Sequence, residues 1–375
     1  MGAVLDSRTE SAIRNPSRMI GNRAPSSAQC QPSTEHRAPN TGLVAHRSTL
    51  KRSPTRAIAL VCTTLFMAGT ALHAQEGAAE RGIQLFQLAQ YDSAKKELGS
   101  ALSENQRATA PLFYLARIAM IQGDFNEASR LFERAIRTEG ATSEHYRWHA
   151  QALGQLATRG SKLKAPFVAK KAKAALERAV SLNPEDVESR VALLRYYLIA
   201  PGMVGGSTER AARQVPEIAK RSPFWGRLAA AGVHEDREDN AAAESEYEKA
   251  IAEFPDSSSA LYALGLLYQR TEQNDKAFAA FERMAEKHPD KINALYAIGR
   301  LGAQTGLKLE RSEEALKLFL SKPLKEGNVP RSSALYRLGM IYEKTGRREL
   351  ARKEYEASLQ IEQRSEVRDA LARVK

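Results

Sequence analysis

Residues able to do chemistry are few in this chain, and they are scattered. His145 and His149 stand four apart in EHYRWH. That spacing puts two imidazoles on one helix face, where they could share a metal ion. No Glu directly follows His145, so the metalloprotease pattern is absent, and no third ligand is evident. No metal site is therefore expected, and the register places His149 at an inward, packed position. A glycine-rich run, APGMVGGS at Ala200–Ser207, holds Gly202, Gly205 and Gly206. Glycine accepts positive φ and close backbone approach. Such a run could offer a nest of amides to an anion, just before a helix that begins near Ser207. It lacks the Lys-Ser/Thr ending of a P-loop and follows a helix rather than a strand. A rigid turn that re-aims a helix pair accounts for the same residues.

A third feature is basic. Lys162, Lys164, Lys170, Lys171 and Lys173 cluster in TRGSKLKAPFVAKKAK, residues 158–173. They would suit anionic lipid, glycan or nucleic acid, or form a plain solvated helix face. Only Phe167 interleaves with them, which gives nucleic-acid bases little to stack on. No nucleophile–base pair, metal cluster or cofactor loop emerges, so the sequence predicts no enzyme and no cofactor.

Charge and cysteine usage narrow the field further. The chain of 375 residues carries a formal charge of +12. Residues 1–74 hold 9 of its 56 Lys and Arg and 3 of its 44 Asp and Glu, so the excess over the rest is only +6. The basic balance is partly a property of the leader and argues weakly for nucleic acid. Both cysteines, Cys30 and Cys62, lie in that leader. No disulfide framework, Cys-based zinc site or thiol nucleophile is expected beyond it.

Residues 1–50 are rich in Ser, Arg, Pro, Asn and Gln, without periodicity, and are expected to be disordered. Residues 51–74 place Lys51, Arg52 and Arg56 before the apolar run Ala57–Leu72, with Ala74 ahead of Gln75. This is the layout of a secretory signal peptide. It is too short for the roughly 20 residues of a spanning helix. It predicts translation from near Leu50, a cut near Ala74 and a periplasmic body.

The elements that must position these residues repeat. ALYALG, ALYAIG and ALYRLG occur at Ala260–Gly265, Ala294–Gly299 and Ala334–Gly339, 34 and then 40 residues apart. A period near 34 marks stacked helix–turn–helix units. Leu261, Leu264, Gly265 and Tyr268 share one helix face. Gly265 and Ala277 lack bulk, so two antiparallel helices approach there, with Phe281 filling the space beside them. Pro289 ends the second helix. In that order these residues resemble the tetratricopeptide repeat family.

The resemblance covers residues 75–375. It implies an all-α, right-handed superhelical solenoid of about eight hairpins, closed by a helix at Glu366–Lys375. Insertions are expected near 154–168, 200–207 and 307–314. These insertions, with LERSEEAL at Leu309–Leu316, are similar to those of a group of exported bacterial repeat proteins, which brings no substrate with it. In the family the first helix of each unit lines a concave surface, and its fifth position contacts bound peptide. That position is Phe113, Tyr262, Tyr296 and Tyr336. Arg117 and Arg300 follow Phe113 and Tyr296 by four residues on the same faces, and Arg270 follows Tyr262 by eight. Aromatic faces beside guanidinium groups suit an extended peptide bearing carboxylates. Alternatively, the tyrosines pack between helices with wet hydroxyls.

The expected function is a non-catalytic scaffold of the cell envelope holding a protein or peptide partner in its groove. Nucleic acid is not an expected partner, and membrane contact is at most peripheral. The alternative is a small-molecule or envelope-glycan binder using the loop 201–207 and the basic insertion.

Overall fold

The computed structural model describes residues 77–324 and 328–375. The expected leader, the segment 51–74 and both cysteines lie outside them.

The chain folds as paired antiparallel helices. Helix α1 is described over 77–87 and pairs with α2 (Tyr91–Glu104). There follow α3 (Thr109–Gln122) with α4 (Phe125–Ala135), and α5 (Ser143–Arg159) with α6 (Ala165–Leu182). Next come α7 (Val187–Ile199) with α8 (Thr208–Arg221), and α9 (Pro223–Asp236) with α10 (Asn240–Glu253). The last pairs are α11 (Ser258–Arg270) with α12 (Asn274–Lys287), α13 (Asn293–Thr305) with α14 (Leu309–Ser321), and α15 (Arg331–Lys344) with α16 (Arg348–Ile361). Helix α17 (Ser365–Arg373) closes the array, burying Val367 and Ala370 completely. The result is an all-α repeat solenoid, with no strand among the described residues.

Local chemistry sets the helix starts. Asp124, Asp186, Asp239 and Ser207 each accept a backbone N–H three residues on, satisfying donors that the first turn leaves unpaired. Only Ser222 separates α8 from α9. It ends one helix and caps the next, and Gly226 lets α9 close on Ala219, since a Cβ there would lie 2.5 Å from the Ala219 Cβ.

Within hairpins the small–large fit expected from Gly265 and Phe281 recurs. A Cβ at Gly82 would lie 2.6 Å from Leu98 Cγ, and one at Gly339 2.5 Å from Tyr355 Cε1. At Gly265 and Gly299 it would collide with Phe281 and Leu316. Between hairpins, first helices touch each other: α5 meets α7, α7 meets α9, and α13 meets α15. No two successive second helices pack to that extent among the described residues. The array therefore curves toward its first-helix layer, which forms the inner side.

The extra residues do not sit where spacing alone placed them. The ten or so in the third unit lengthen both helices, and only 160–164 remain as a turn. The expected turn at 307–314 is helix from Leu309, with Lys308 at φ +46° as its first cap. Ser312 Oγ bonds the Ile298 carbonyl at 3.2 Å, and this cross-link favours helix over loop. The 40-residue spacing is instead taken up between α14 and α15, at 322–330.

Candidate functional site

The fifth-position aromatics all lie in the inner layer, and each leans on an aromatic of its own second helix. Ring centroids are 5.8 Å apart for Phe113–Phe132, 5.7 Å for Tyr262–Phe281, and 5.9 Å for both Tyr296–Phe319 and Tyr336–Tyr355. Phe113 and Tyr296 are buried, while Tyr262 and Tyr336 are half-buried. The Tyr296 hydroxyl has no hydrogen-bond partner although it is enclosed.

The three nominated arginines differ. Arg117 lies in a box of rings, its guanidinium carbon 4.6 Å from Phe86, 4.9 Å from Trp148, 5.2 Å from Tyr114 and 5.4 Å from Phe113. Arg270 is neutralised: its Nη2 is 2.6 Å from Glu235 Oε2. The other oxygen of Glu235 accepts the Tyr247 hydroxyl at 2.6 Å. Burial, then the Glu235 carboxylate, hold the Tyr247 pKa well above its ordinary value. Arg300 is 4 % exposed and donates Nη2 to Gln269 Oε1 at 2.7 Å, but its Nε is unpartnered.

Two further arginines of this layer were missed by the fifth-position rule. Arg337 is buried, with Nη1 3.3 Å from Met340 Sδ and Nε unpartnered. Arg195 of α7 is half-buried, yet enclosed enough that burial lowers its pKa. Arg195, two before Tyr197, stands as Leu266 does before Tyr268, the register Arg300 occupies one repeat on; reading every unit at that slot would have found it. None of Arg195, Arg300 and Arg337 has a carboxylate within ion-pair distance among the described residues.

The glycine loop is a closed wrap. The amides of Val204, Gly205 and Gly206 donate to carbonyls of Pro201 and Gly202, and that of Ser207 to Tyr197. These N–H groups turn inward rather than toward a nest. Gly205 takes φ +98°, and a Cβ at Gly206 would collide with the Ala200 carbonyl oxygen. Tyr196 Oη donates to the Val204 carbonyl at 2.8 Å; burial pushes its pKa up to about 12. Beside the loop is an open cleft of about 390 Å³ bordered by Lys170, Lys173, Glu177, Met203 and Arg210. The glycine loop and the basic stretch are thus neighbours. Lys162, Lys164 and Lys171 lie exposed on or just before the same helix.

His145 and His149 are both engaged in packing. The His145 Nδ1 accepts the Thr142 N–H at 3.1 Å, capping α5, and its ring lies 4.6 Å from that of Phe113. Burial lowers the His145 pKa and takes that of His149 down to about 4. Among the described residues no third His, Cys, Asp or Glu joins them in a metal-binding group. No described helix is long and apolar enough to cross a membrane.

Two tetratricopeptide repeat models match the chain, one at residues 79–144 and 228–292 and the other at 332–364. Paired helices, the small–large fit and these matches define a helical-repeat protein. The chain is a tetratricopeptide repeat protein, and proteins of this fold generally mediate protein–protein interaction. No curated protein matches it. Among solved structures it is similar to a tetratricopeptide repeat protein from Parabacteroides merdae, with 14 % identity, TM-score 0.45, and coverage of 80 % of this chain and 99 % of that one. A thermophilic repeat protein from Thermus thermophilus is also similar, with 18 % identity, TM-score 0.39, and coverage of 65 % and 99 %. The IFIT1 monomeric mutant with Gppp-AAAA gives 18 % identity, TM-score 0.48, and coverage of 78 % and 69 %.

Proposed function

We propose that the solenoid is a non-catalytic scaffold of the bacterial cell envelope that holds an extended segment of a partner protein along its inner layer. The observation that carries this reading is the set Arg195, Arg300 and Arg337, cations of the inner layer with no carboxylate within ion-pair distance among the described residues, Arg337 feeling Glu366 only at longer range. Buried donors are nearly always matched, and an enclosed charge without a counter-charge is costly. A segment that brings carbonyl and carboxylate oxygens supplies what the chain leaves open. Tyr262 and Tyr336, half-buried nearby, offer it aromatic faces. The signal-like segment at 51–74 favours the periplasm as the place.

The test is retention of envelope proteins by the wild-type chain and by the Arg195→Gln, Arg300→Gln, Arg337→Gln variant. A discrete protein held by the first and released by the second supports the groove. Equal retention removes this reading. A small ligand that survives those changes but is lost with Lys173→Gln and Arg210→Gln would favour the small-molecule or glycan reading at the loop. N-terminal sequencing of the periplasmic fraction, expected to begin at Gln75, tests the compartment.

A further inference from the structure

Two stretches break the repeat, 158–173 and 200–207, and the fold sets them side by side. Lys170 and Lys173 of α6, Met203 and Gly205 of the loop, and Arg210 of α8 border one open cleft of about 390 Å³. Its acidic lining residue, Glu177, is already paired with Lys173 at 3.3 Å. Met203 borders the cleft, Leu163 and Phe167 lie just before and on the helix that carries Lys170, and none of the three belongs to a buried cluster. Leu163 is 87 % exposed, Met203 77 % and Phe167 71 %. These are the three most exposed large apolar residues described, and all three fall in the two irregular stretches. Phe167 sits three and four residues before Lys170 and Lys171, so it shares their face of α6. Leu163 lies one turn further back, between the exposed Lys162 and Lys164.

Apolar side chains held out in water, ringed by cations and short of acids, match an anionic bilayer interface. The apolar tips enter between headgroups while lysines meet lipid phosphates. Solvated lysines alone would need no apolar tips, and an ordinary protein interface depletes lysine at its centre. We propose that the patch centred on Leu163, Phe167 and Met203 docks the solenoid on an anionic lipid surface, with the lysines of α6 against the phosphates. Helix α6 belongs to the outer layer, so a docked molecule keeps its inner layer open. The inference is thus independent of the groove.

The test uses the chain from residue 75, because the apolar run 57–72 would itself enter lipid and because the hairpins supply their own core clusters. Sedimentation with phosphatidylglycerol-rich vesicles is compared with phosphatidylcholine alone. Binding is expected only to the first. Leu163→Ser, Phe167→Ser and Met203→Ser together should weaken it more than about tenfold, and Lys162→Gln, Lys164→Gln, Lys170→Gln and Lys171→Gln by a similar factor. The charge-matched control Lys344→Gln, Arg348→Gln, Arg352→Gln, Lys353→Gln, on exposed residues of the last hairpin, should bind as wild type. Phe167→Trp gives a second readout that does not depend on loss: its fluorescence should be quenched by brominated lipid. Equal binding to phosphatidylcholine, an apolar variant that binds as wild type, or a control that loses as much overturns the proposal. So does competition by free glycerol phosphate, which would make the cleft a site for a soluble anion, or an unquenched Trp at 167.

Discussion

The stretch from α11 to α16 and the stretch from α5 to α8 are built from the same unit but solve different problems. In the first, every aromatic at the fifth position meets an aromatic of its second helix, and small residues let the two helices close. One apolar cluster runs through it, from Ala231 to Val374. In the second, the helices of one pair are 17 and 18 residues long, a proline sits inside α8, and a separate cluster runs from Ala150 to Val233. Phe224 and Leu228 pack against both clusters. Regular repeats spend their residues on packing. The irregular ones leave side chains over, and those form the basic–apolar patch.

The sharpest way to break this contrast is to remove a core side chain from the regular half. Phe281 is fully buried, so Phe281→Ala should cost about 3–5 kcal/mol. Both tryptophans, Trp148 and Trp225, lie in other units. In a solenoid coupled through nearest neighbours, the urea transition seen by circular dichroism should fall while tryptophan fluorescence moves less. Coincident shifts would mean that the halves unfold as one.

The next effect belongs to the irregular half. The His149 pKa is about 4 when folded and near 6.5 in an unfolded chain. A lowered folded pKa means that the unfolded state takes the proton first. Stability from neutral His149 is therefore present above pH 6.5 and is lost as pH falls toward 4. The loss reaches roughly 3 kcal/mol. Wild type minus His149→Gln, followed by Trp148 fluorescence in urea at pH 7 and pH 4, isolates it; a difference that does not change with pH would refute the assignment.

Glycine substitutions sharpen the comparison at smaller scale. Gly339→Ala should cost about 1–3 kcal/mol by overpacking against Tyr355. Gly202→Ala, where nothing lies within 4 Å of the new carbon, should leave the melting temperature unchanged. Ser207→Ala, which removes the α8 cap, should fall between the two, at about 1 kcal/mol. A Gly202→Ala loss as large as that at Gly339 would remove the distinction between packed and open glycines.

The regular units were legible because packing dictates their residues. Gly265, Phe281 and the Ala-Leu-Tyr starts have one geometric use, and sequence shows it. Positions of extra residues were not legible. A spacing of 40 counts six surplus residues but cannot say whether Leu309–Leu316 or 322–330 carries them, because LERSEEAL suits helix and turn alike until Ser312 meets Ile298. The inner layer was legible in part. The fifth-position aromatics read directly, whereas the pairing of Arg270 with Glu235 depends on a residue 35 positions away.

The single-residue joint at Ser222 has a mechanical meaning. With no slack between α8 and α9, and with Gly226 pressed to Ala219, a turn of one arm is transmitted to the other as torque. A longer linker would absorb that movement. The pitch between the hairpin α7–α8 and the hairpin α9–α10 is thereby set at one residue, with Ser222 as the fulcrum.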